Sequence, residues 1–147
     1  MRIFEAKTAV FMKLLILCTG NSCRSQMAEA FIKSFNGDLE VFSAGTDPAD
    51  EVHPKAIQVM KELGIDMTDH RPRKVEDFLK ESFDYVITVC GHAREHCPVF
   101  SGEVKKKVHI GFEDPAEATG TEEQILLEFR RIRDQIRDRM QSFIESL

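Results

Sequence analysis

Residues 18–25, Cys-Thr-Gly-Asn-Ser-Cys-Arg-Ser, combine a thiol, a glycine and an arginine in the pattern of a nucleophile beside an anion-binding loop. They follow the apolar run 14–17, which predicts a buried strand, and they precede helical spacing over residues 27–35. At such a strand-to-helix turn, free backbone amides and the helix dipole favour a tetrahedral oxyanion. The arginine adds a planar fork of donors. The residues expected to bind the oxyanion are Thr19, Gly20, Asn21, Ser22, Cys23 and Arg24.

Cys18 is the predicted nucleophile, because a thiolate is the reactive form of cysteine and a helix N-terminus beside an arginine lowers the pKa of a thiol. We expect Cys18 to be a thiolate at neutral pH, with Ser25 donating a hydrogen bond to its sulfur and Gly20 letting the backbone approach the anion. Each residue alone also fits an ordinary turn with a buried structural cysteine. The combined spacing of Cys18, Arg24 and Ser25 after an apolar strand favours catalysis.

The composition limits the classes of function. The chain has 147 residues, a formal net charge of −5 and four cysteines. The acidic balance argues against nucleic acid as a partner, and no apolar run is long enough to span a membrane. Residues 1–12 lack the pattern of a secretory signal, so we expect a monomeric cytoplasmic protein whose cysteines stay reduced. We expect one domain over residues 13–147, with 1–12 as an N-terminal extension or a misassigned start before Met12.

Strand and helix patterns alternate along the chain. The predicted strands cover residues 14–17, 40–44, 84–89 and 107–110, and helical spacing covers 53–63 and a long final helix that starts with a Thr121–Gln124 capping box. This order predicts an α/β fold, a parallel sheet of about four strands with helices on both faces. The carboxyl ends of the strands then place Cys18, Cys90 and Asp114 at one edge of the sheet, where such folds bind ligands.

A second group of cysteines, Cys90 and Cys97, stands in the run Cys-Gly-His-Ala-Arg-Glu-His-Cys-Pro. Two unrelated buried cysteines would be the simplest interpretation, although Cys90 ends the strand that faces the predicted site. A zinc site could also use His92 and His96, but the spacing departs from the usual Cys-x2-Cys knuckle. A dithiol pair that exchanges electrons with Cys18 best accounts for further thiols in a reducing compartment.

Four segments together resemble a known family: 14–29 (LLILCTGNSCRSQMAE), 41–45 (VFSAG), 86–98 (VITVCGHAREHCP) and 111–116 (GFEDPA). They are similar to the thioredoxin-coupled arsenate reductases, which are built on the low-molecular-weight protein tyrosine phosphatase fold. The loop motif is shared with the phosphatases, whereas the second cysteine pair is not. Ala116 stands where phosphatases often have an aromatic residue, but the His-Arg-Pro-Arg run 70–73 resembles the phosphatases.

The resemblance implies a chemistry for five side chains. Cys18 would attack arsenate, Arg24 and the loop amides would stabilise its oxygens, and Asp114 would protonate the departing hydroxide. Cys90 would then attack the Cys18 sulfur and release arsenite, and Cys97 would attack Cys90. Thioredoxin would reduce the resulting disulfide, and phosphate or sulfate would compete with arsenate for the loop. Cys23 is not required by this scheme and is expected to be a small buried support, with an off-cycle disulfide to Cys18 as the alternative.

Asn21, Glu29 and Ser43 resemble residues that shape the loop and help to form a potassium site in some family members. Arg73 stands where that site needs a carboxylate, and an arginine cannot ligate a cation. We therefore expect Asn21 and Ser43 to support the loop, and we expect no metal or cofactor. A low-molecular-weight phosphatase is the alternative enzyme, and a thiol redox sensor or a zinc-binding regulator is the alternative from another class.

Overall fold

The computed structural model describes residues 12–147, so the predicted N-terminal extension lies outside the described residues except for Met12. Four strands form one sheet: β1 (Lys13–Cys18), β2 (Glu40–Gly45), β3 (Phe83–Thr88) and β4 (Val104–His109). Their order is β2-β1-β3-β4, and every neighbouring pair is parallel. The predicted four-stranded parallel sheet is confirmed.

The α-helices are α1 (Arg24–Phe35), α2 (Pro54–Lys61), α3 (Gly91–Glu95) and α4 (Glu122–Glu145), and single 3-10 turns cover Val75–Phe78 and Pro115–Glu117. The α4 helix begins with the predicted capping box, in which the Thr121 hydroxyl accepts from the Gln124 amide and the Gln124 side chain accepts from the Thr121 amide. No helix within residues 12–147 has the length and apolar character needed to cross a membrane.

Helices cover both faces of the sheet. On one face, Tyr85 packs edge-to-face against Phe143 of α4. On the other face, Phe42 of β2 packs against Phe78 of the first 3-10 turn. The central strand β1 is therefore enclosed on both sides, and residues 14–17 have no exposed surface. This explains why they form an unbroken apolar run, since a strand with two buried faces has no polar alternation.

The starts of β4 and α1 differ from the predictions by three residues, and other boundaries differ by one or two. The β4 strand begins at Val104 and not at 107, because it is an edge strand whose Lys105, Lys106 and Lys107 are exposed and interrupt the apolar pattern. The α1 helix begins at Arg24, before the first apolar residue of its stripe. The α3 helix, for which no boundaries were predicted, ends at Glu95, so Cys97 follows the helix and does not belong to it.

Candidate active site

The loop between β1 and α1 presents its backbone amides to one side. Its carbonyl oxygens point the other way, because four of them accept hydrogen bonds from the segment 46–53. In each bond a backbone amide of that segment donates to a carbonyl oxygen of the loop: Thr46 to Cys18 (3.1 Å), Asp47 to Thr19 (2.9 Å), Ala49 to Gly20 (2.8 Å) and His53 to Ser22 (2.9 Å). Within the described chain, the amides of residues 20–24 donate to no protein acceptor. The loop is thus a cradle of free donors at the N-terminus of α1, as an oxyanion requires.

Asn21 holds this cradle in shape. Its φ of 51° lies in the left-handed region, which asparagine tolerates better than most residues, and its side chain is fully buried. The Nδ2 group donates to Ser25 Oγ at 2.7 Å and to Ser43 Oγ at 2.9 Å, and Oδ1 accepts from the Arg73 amide at 2.9 Å. Asn21 and Ser43, which the sequence analysis predicted to support the loop, are thus hydrogen-bonded to each other beside it. Arg73 contributes its backbone rather than its side chain.

A buried carboxylate completes the support. Glu29 of α1 is only 3% exposed, accepts a hydrogen bond from Ser43 Oγ at 2.6 Å and forms an ion pair with Lys33 one turn later. Because a buried charge is costly without partners, this pair and bond are what make the Glu29 carboxylate tolerable in the core. In the part of the chain that the structure describes, no three histidine, cysteine or acidic side chains come close enough to hold a metal ion.

Two further supports were not predicted. Gln26 is buried and donates from Nε2 to Asn21 O and to Arg71 O, each at 3.1 Å. Gly45 ends β2 so close to the loop that an added Cβ would lie 2.3 Å from Thr19 O. The sequence does contain a signal for Gln26, because a polar residue on the buried side of α1 indicates a buried hydrogen bond. The contact of Gly45 spans a long sequence separation and left no local signal beyond the glycine itself.

Cys18 and Cys90 meet beneath the loop. Cys18 ends β1, Cys90 follows β3, and their thiols come together because parallel neighbours end at the same edge. The Cys90 thiol and burial raise the pKa of Cys18, against the opposing effect of Arg24. The Cys18 thiol lowers the pKa of Cys90 to about 4, helped by the Thr19 hydroxyl and the Ala93 amide, each 3.4 Å from its sulfur. The pair therefore loses one proton readily and keeps the other.

This arrangement corrects one expectation about Cys18 and leaves the other a prediction. The two neighbouring thiols share one charge and one proton, so the expectation that Cys18 is the thiolate stays a prediction. Ser25 is fully buried, but its hydroxyl accepts from Asn21, and no hydrogen bond between Ser25 and the Cys18 sulfur occurs among residues 12–147. Ser25 thus acts on the loop through Asn21 and not on the nucleophile directly.

Arg24 and Asp114 face each other across the cleft mouth. Arg24 Nη1 donates to Phe112 O at 3.1 Å, and Nη2 lies 3.5 Å from Asp114 Oδ2. The Arg24 Nε is buried without a protein partner among the described residues. Asp114 also caps the second 3-10 turn by accepting from the Ala116 amide at 3.0 Å. Of the three side chains predicted to meet at this edge, Cys90 and Asp114 line a cleft of about 540 Å³ with Arg24, whereas Cys18 is buried beside Cys90 and does not line it.

Cys97 lies outside this cleft. It is half-buried in a second cleft on the β3–β4 face, while Cys90 stands at the other end of α3 with its sulfur turned toward Cys18. His92 and His96 stack on each other at 4.2 Å between ring centroids and are exposed. The four ligands of the alternative zinc site are therefore not gathered around one point.

Cys23 is almost fully buried within the loop, with the Ser22 hydroxyl 3.8 Å from its sulfur. Burial raises the pKa of Cys23 to about 12, so its thiol stays protonated at neutral pH. Its surroundings fit a support of the loop, as the sequence suggested.

The comparisons with known proteins place these features in a family. The sequence model of the family described as low molecular weight phosphotyrosine protein phosphatase matches residues 13–147 of this chain. An arsenate reductase of Halalkalibacterium halodurans is 46% identical over 134 residues, which are 90% of this chain and 95% of that protein. A solved arsenate reductase in a phosphate-binding state is 34% identical, with a TM-score of 0.76 and coverage of 92% of this chain and 98% of that chain.

The similarity extends to a phosphatase of the same fold. A low molecular weight protein tyrosine phosphatase from T. tengcongensis is 28% identical, with a TM-score of 0.77 and coverage of 92% of this chain and 99% of that chain. The loop, the buried support around Asn21 and the parallel sheet all lie within the matched residues 13–147. The chain belongs to the low molecular weight phosphotyrosine protein phosphatase family.

Proposed function

We propose that the protein reduces arsenate to arsenite and passes the oxidation to a pair of its own cysteines. One observation carries this proposal: the Cys90 thiol lies beside the Cys18 thiol, at the adjacent ends of two parallel strands. Hydrolysis of a phosphate ester needs one nucleophilic cysteine, whereas removal of an oxygen from arsenic needs two electrons and hence a second sulfur in reach. The relatives at 42–46% identity that are called arsenate reductases support the same conclusion.

Arsenate binds in the cradle of amides 20–24. Its charge is met by the Arg24 guanidinium, whose Nε is buried and has no protein acceptor among the described residues. A buried donor without a partner is costly, and an oxyanion oxygen would supply the missing acceptor. Phosphate and sulfate have the same tetrahedral shape and compete for the site, in keeping with the related reductase that was solved with phosphate bound.

The first step forms a bond between Cys18 sulfur and arsenic. Cys18 attacks as the thiolate of the pair, while the one remaining proton stays on the neighbouring Cys90 sulfur. The departing hydroxide takes a proton from Asp114 and leaves as water. Asp114 is suited to this role because Arg24 and the Ala116 amide hold its carboxyl at the cleft mouth.

Two thiol exchanges complete the reaction. Cys90 loses its proton and attacks the Cys18 sulfur, the electron pair of the sulfur–arsenic bond passes to arsenic, and arsenite departs. Cys97 then attacks Cys90, which forms the Cys90–Cys97 disulfide and releases Cys18. Because Cys90 and Cys97 line different clefts at opposite ends of α3, this last exchange requires α3 to unwind.

Thioredoxin is the reductant that we assign to the product disulfide. Unwinding of α3 carries the disulfide toward Val99, which is already 88% exposed. A dithiol partner then returns two electrons and restores both cysteines, so arsenate and one dithiol yield arsenite, water and one disulfide. We place this reaction in the cytoplasm and expect the protein to act as a monomer.

The test is arsenite formation from arsenate with thioredoxin, its reductase and NADPH, run beside hydrolysis of an aryl phosphate. We expect sustained arsenite release with an equal amount of NADPH consumed. Cys18→Ser should abolish both activities, whereas Cys97→Ser should abolish sustained arsenate turnover and leave aryl phosphate hydrolysis measurable. Hydrolysis without arsenite release would instead identify a phosphatase, and bound stoichiometric zinc without turnover would identify a regulator.

A phosphatase activity is the second candidate, and one observation favours it. The cleft holds an arginine and an acid beside the residue that follows the predicted nucleophile Cys18, and its volume of about 540 Å³ exceeds the needs of a bare oxyanion. Ala116 leaves the acid loop without the aromatic side chain that would stack on a phenyl ring. We therefore expect this activity to be the weaker of the two.

A further inference from the structure

A second cleft lies beside Cys97 on the opposite side of α3 from the active cleft. Its volume is about 230 Å³. Its floor is formed by two cross-strand pairs of β3 and β4, Val86 with Lys107 and Thr88 with His109, and its wall by Arg94 and Cys97. Arsenate binds on the other side of Cys90, so the proposed reaction uses this cleft only through the Cys97 thiol in its wall.

The cleft is strongly cationic for a protein with a net charge of −5. Arg94 and Lys107 line it, and no lining residue in the described chain is acidic. Neither cation forms an ion pair with a carboxylate within residues 12–147, whereas the neighbouring Lys105 is paired with Asp84 at 3.1 Å. His109 is held by Thr88, whose hydroxyl lies 2.8 Å from Nδ1. Two unpaired cations converging on one concave surface are suited to carboxylates of a small ligand.

A thiol stands in the same wall. Cys97 is half-buried, and burial raises the pKa of its thiol while the Lys107 ammonium opposes that effect. Lys107 is thus near enough to stabilise a thiolate as it forms. A ligand whose acidic groups were bound by Arg94 and Lys107 would bring its own sulfur against Cys97.

We propose that this cleft binds a small disulfide that bears carboxylates and directs thiol–disulfide exchange to Cys97. The Cys97 thiol loses its proton to solvent, its sulfur attacks one sulfur of the bound disulfide, and a new sulfur–sulfur bond forms. The bond within the small disulfide breaks, and its other half leaves as a thiolate with the electron pair. Cys97 is oxidised and the departing half is reduced, so the step needs no further oxidant.

The modification would persist while α3 stays folded, because Cys90 is turned into the other cleft and cannot resolve it. On the proposed function, a capped Cys97 would stop the reaction after the first internal disulfide. The cleft would then make the last thiol of the relay a point of reversible control. Formation of the adduct itself does not depend on arsenate reduction.

The experiment measures adduct formation on the full-length Cys90→Ser protein, in which no neighbouring thiol competes for the adduct. The probes are oxidised glutathione, which is anionic, and 2-hydroxyethyl disulfide, which is neutral; each rate is divided by the rate of the same protein unfolded in urea. Peptide mass mapping locates the adduct. We expect it at Cys97, with the normalised rate for oxidised glutathione about tenfold above that for the neutral probe at low ionic strength.

Substitutions then distinguish a specific effect of the cleft on the rate from the effect of the overall charge of the protein. Lys107→Gln and Arg94→Gln should each lower the glutathione rate by roughly fivefold and leave the neutral probe unchanged. Lys106→Gln is the matched control, because it removes the same charge from the same strand but belongs to the opposite face of the sheet, where it pairs with Tyr85. Equal normalised rates for both probes, an adduct mainly at another cysteine, or an equal loss in Lys106→Gln would overturn the proposal. A protein that failed to reduce arsenate would leave all of these readouts intact.

Discussion

The Thr19 hydroxyl lies 3.4 Å from the Cys90 sulfur, across the gap between the ends of β1 and β3. The Ala93 amide approaches the same sulfur at 3.4 Å from the first turn of α3. Because two donors and the Cys18 thiol converge on Cys90, an anion is stabilised in the active cleft before any substrate binds. The pair is thus prepared for a reaction in which both sulfurs take part.

The first prediction concerns the pH dependence of alkylation by iodoacetamide. The pKa of Cys90 lies near 4, so the charged form of the pair exists throughout the range above that value. Labelling of the pair should therefore be almost constant between pH 6 and pH 8, where an ordinary thiol changes by about tenfold per pH unit. Burial raises the pKa of Cys97, so its labelling should still be rising at the alkaline end. Peptide mapping after short exposure gives each rate.

Thr19→Val supplies the control for this prediction, because it keeps the shape of the side chain and removes the donor. The midpoint of labelling should move upward by about one pH unit, as expected for loss of a hydrogen bond to a charged group. Labelling of the pair that rose tenfold per unit in the parent protein would show that no thiolate is stabilised in the cleft.

The second prediction concerns the general acid. Asp114→Asn should slow the first chemical step by about 10²–10⁴-fold, because the amide has no proton to give. Asparagine also caps a helical turn, so the backbone at the second 3-10 turn should be preserved. Phosphate affinity, measured by calorimetry, should change little. Glu113→Gln is the matched control; if it slowed single-turnover arsenite formation as much as Asp114→Asn, the acid would be misassigned.

Local patterns were enough to predict the elements that carry the nucleophile. The apolar run 14–17 and the loop motif lie within a dozen residues, so β1, the turn and α1 followed from periodicity and turn chemistry. The common edge that gathers Cys18, Cys90 and Asp114 followed from the geometry of parallel strands.

Other features depend on contacts that no local pattern reveals. Gly45 is needed because Thr19 O approaches it closely in the folded protein. The Ser25 hydroxyl accepts a hydrogen bond from the Asn21 side chain, and this contact forms only in the folded loop. The edge strand β4 lacks the apolar run of an interior strand, so its first residues were missed. The stabilisation of a thiolate at this pair also arises only from tertiary contacts, since the groups around Cys90 come from two separate segments, the loop after β1 and α3.

The third prediction concerns the close approach at Gly45. Gly45→Ala would place a Cβ 2.3 Å from Thr19 O, so the loop backbone must shift. We expect a loss of about 1–3 kcal/mol in the free energy of unfolding by urea, and a weaker affinity for phosphate. Gly37→Ala is the control, because nothing lies within 4 Å of its added Cβ. Equal stability of the two variants would mean that the loop does not depend on this contact.

The fourth prediction concerns α3. This helix has only five residues, and Gly91 at its start and Pro98 beyond its end oppose its extension. Amides of residues 91–97 should exchange with deuterium faster in the oxidised protein than in the reduced protein, while residues 85–88 of β3 stay protected. Mass spectrometry of peptides from both states gives the comparison. Unchanged exchange in residues 91–97 would exclude unwinding of α3 during disulfide formation.

The central claim is the order of sulfur transfer from Cys18 to Cys90 to Cys97, and Cys97→Ser tests it most directly. This variant should release one arsenite per protein molecule in a single burst and then stop, because without the Cys97 thiol the disulfide between Cys18 and Cys90 cannot be exchanged. Peptide mapping after the burst should find a disulfide that joins Cys18 to Cys90. Continued turnover of the Cys97→Ser protein with thioredoxin alone, or a burst that leaves Cys18 and Cys90 reduced, would contradict the account.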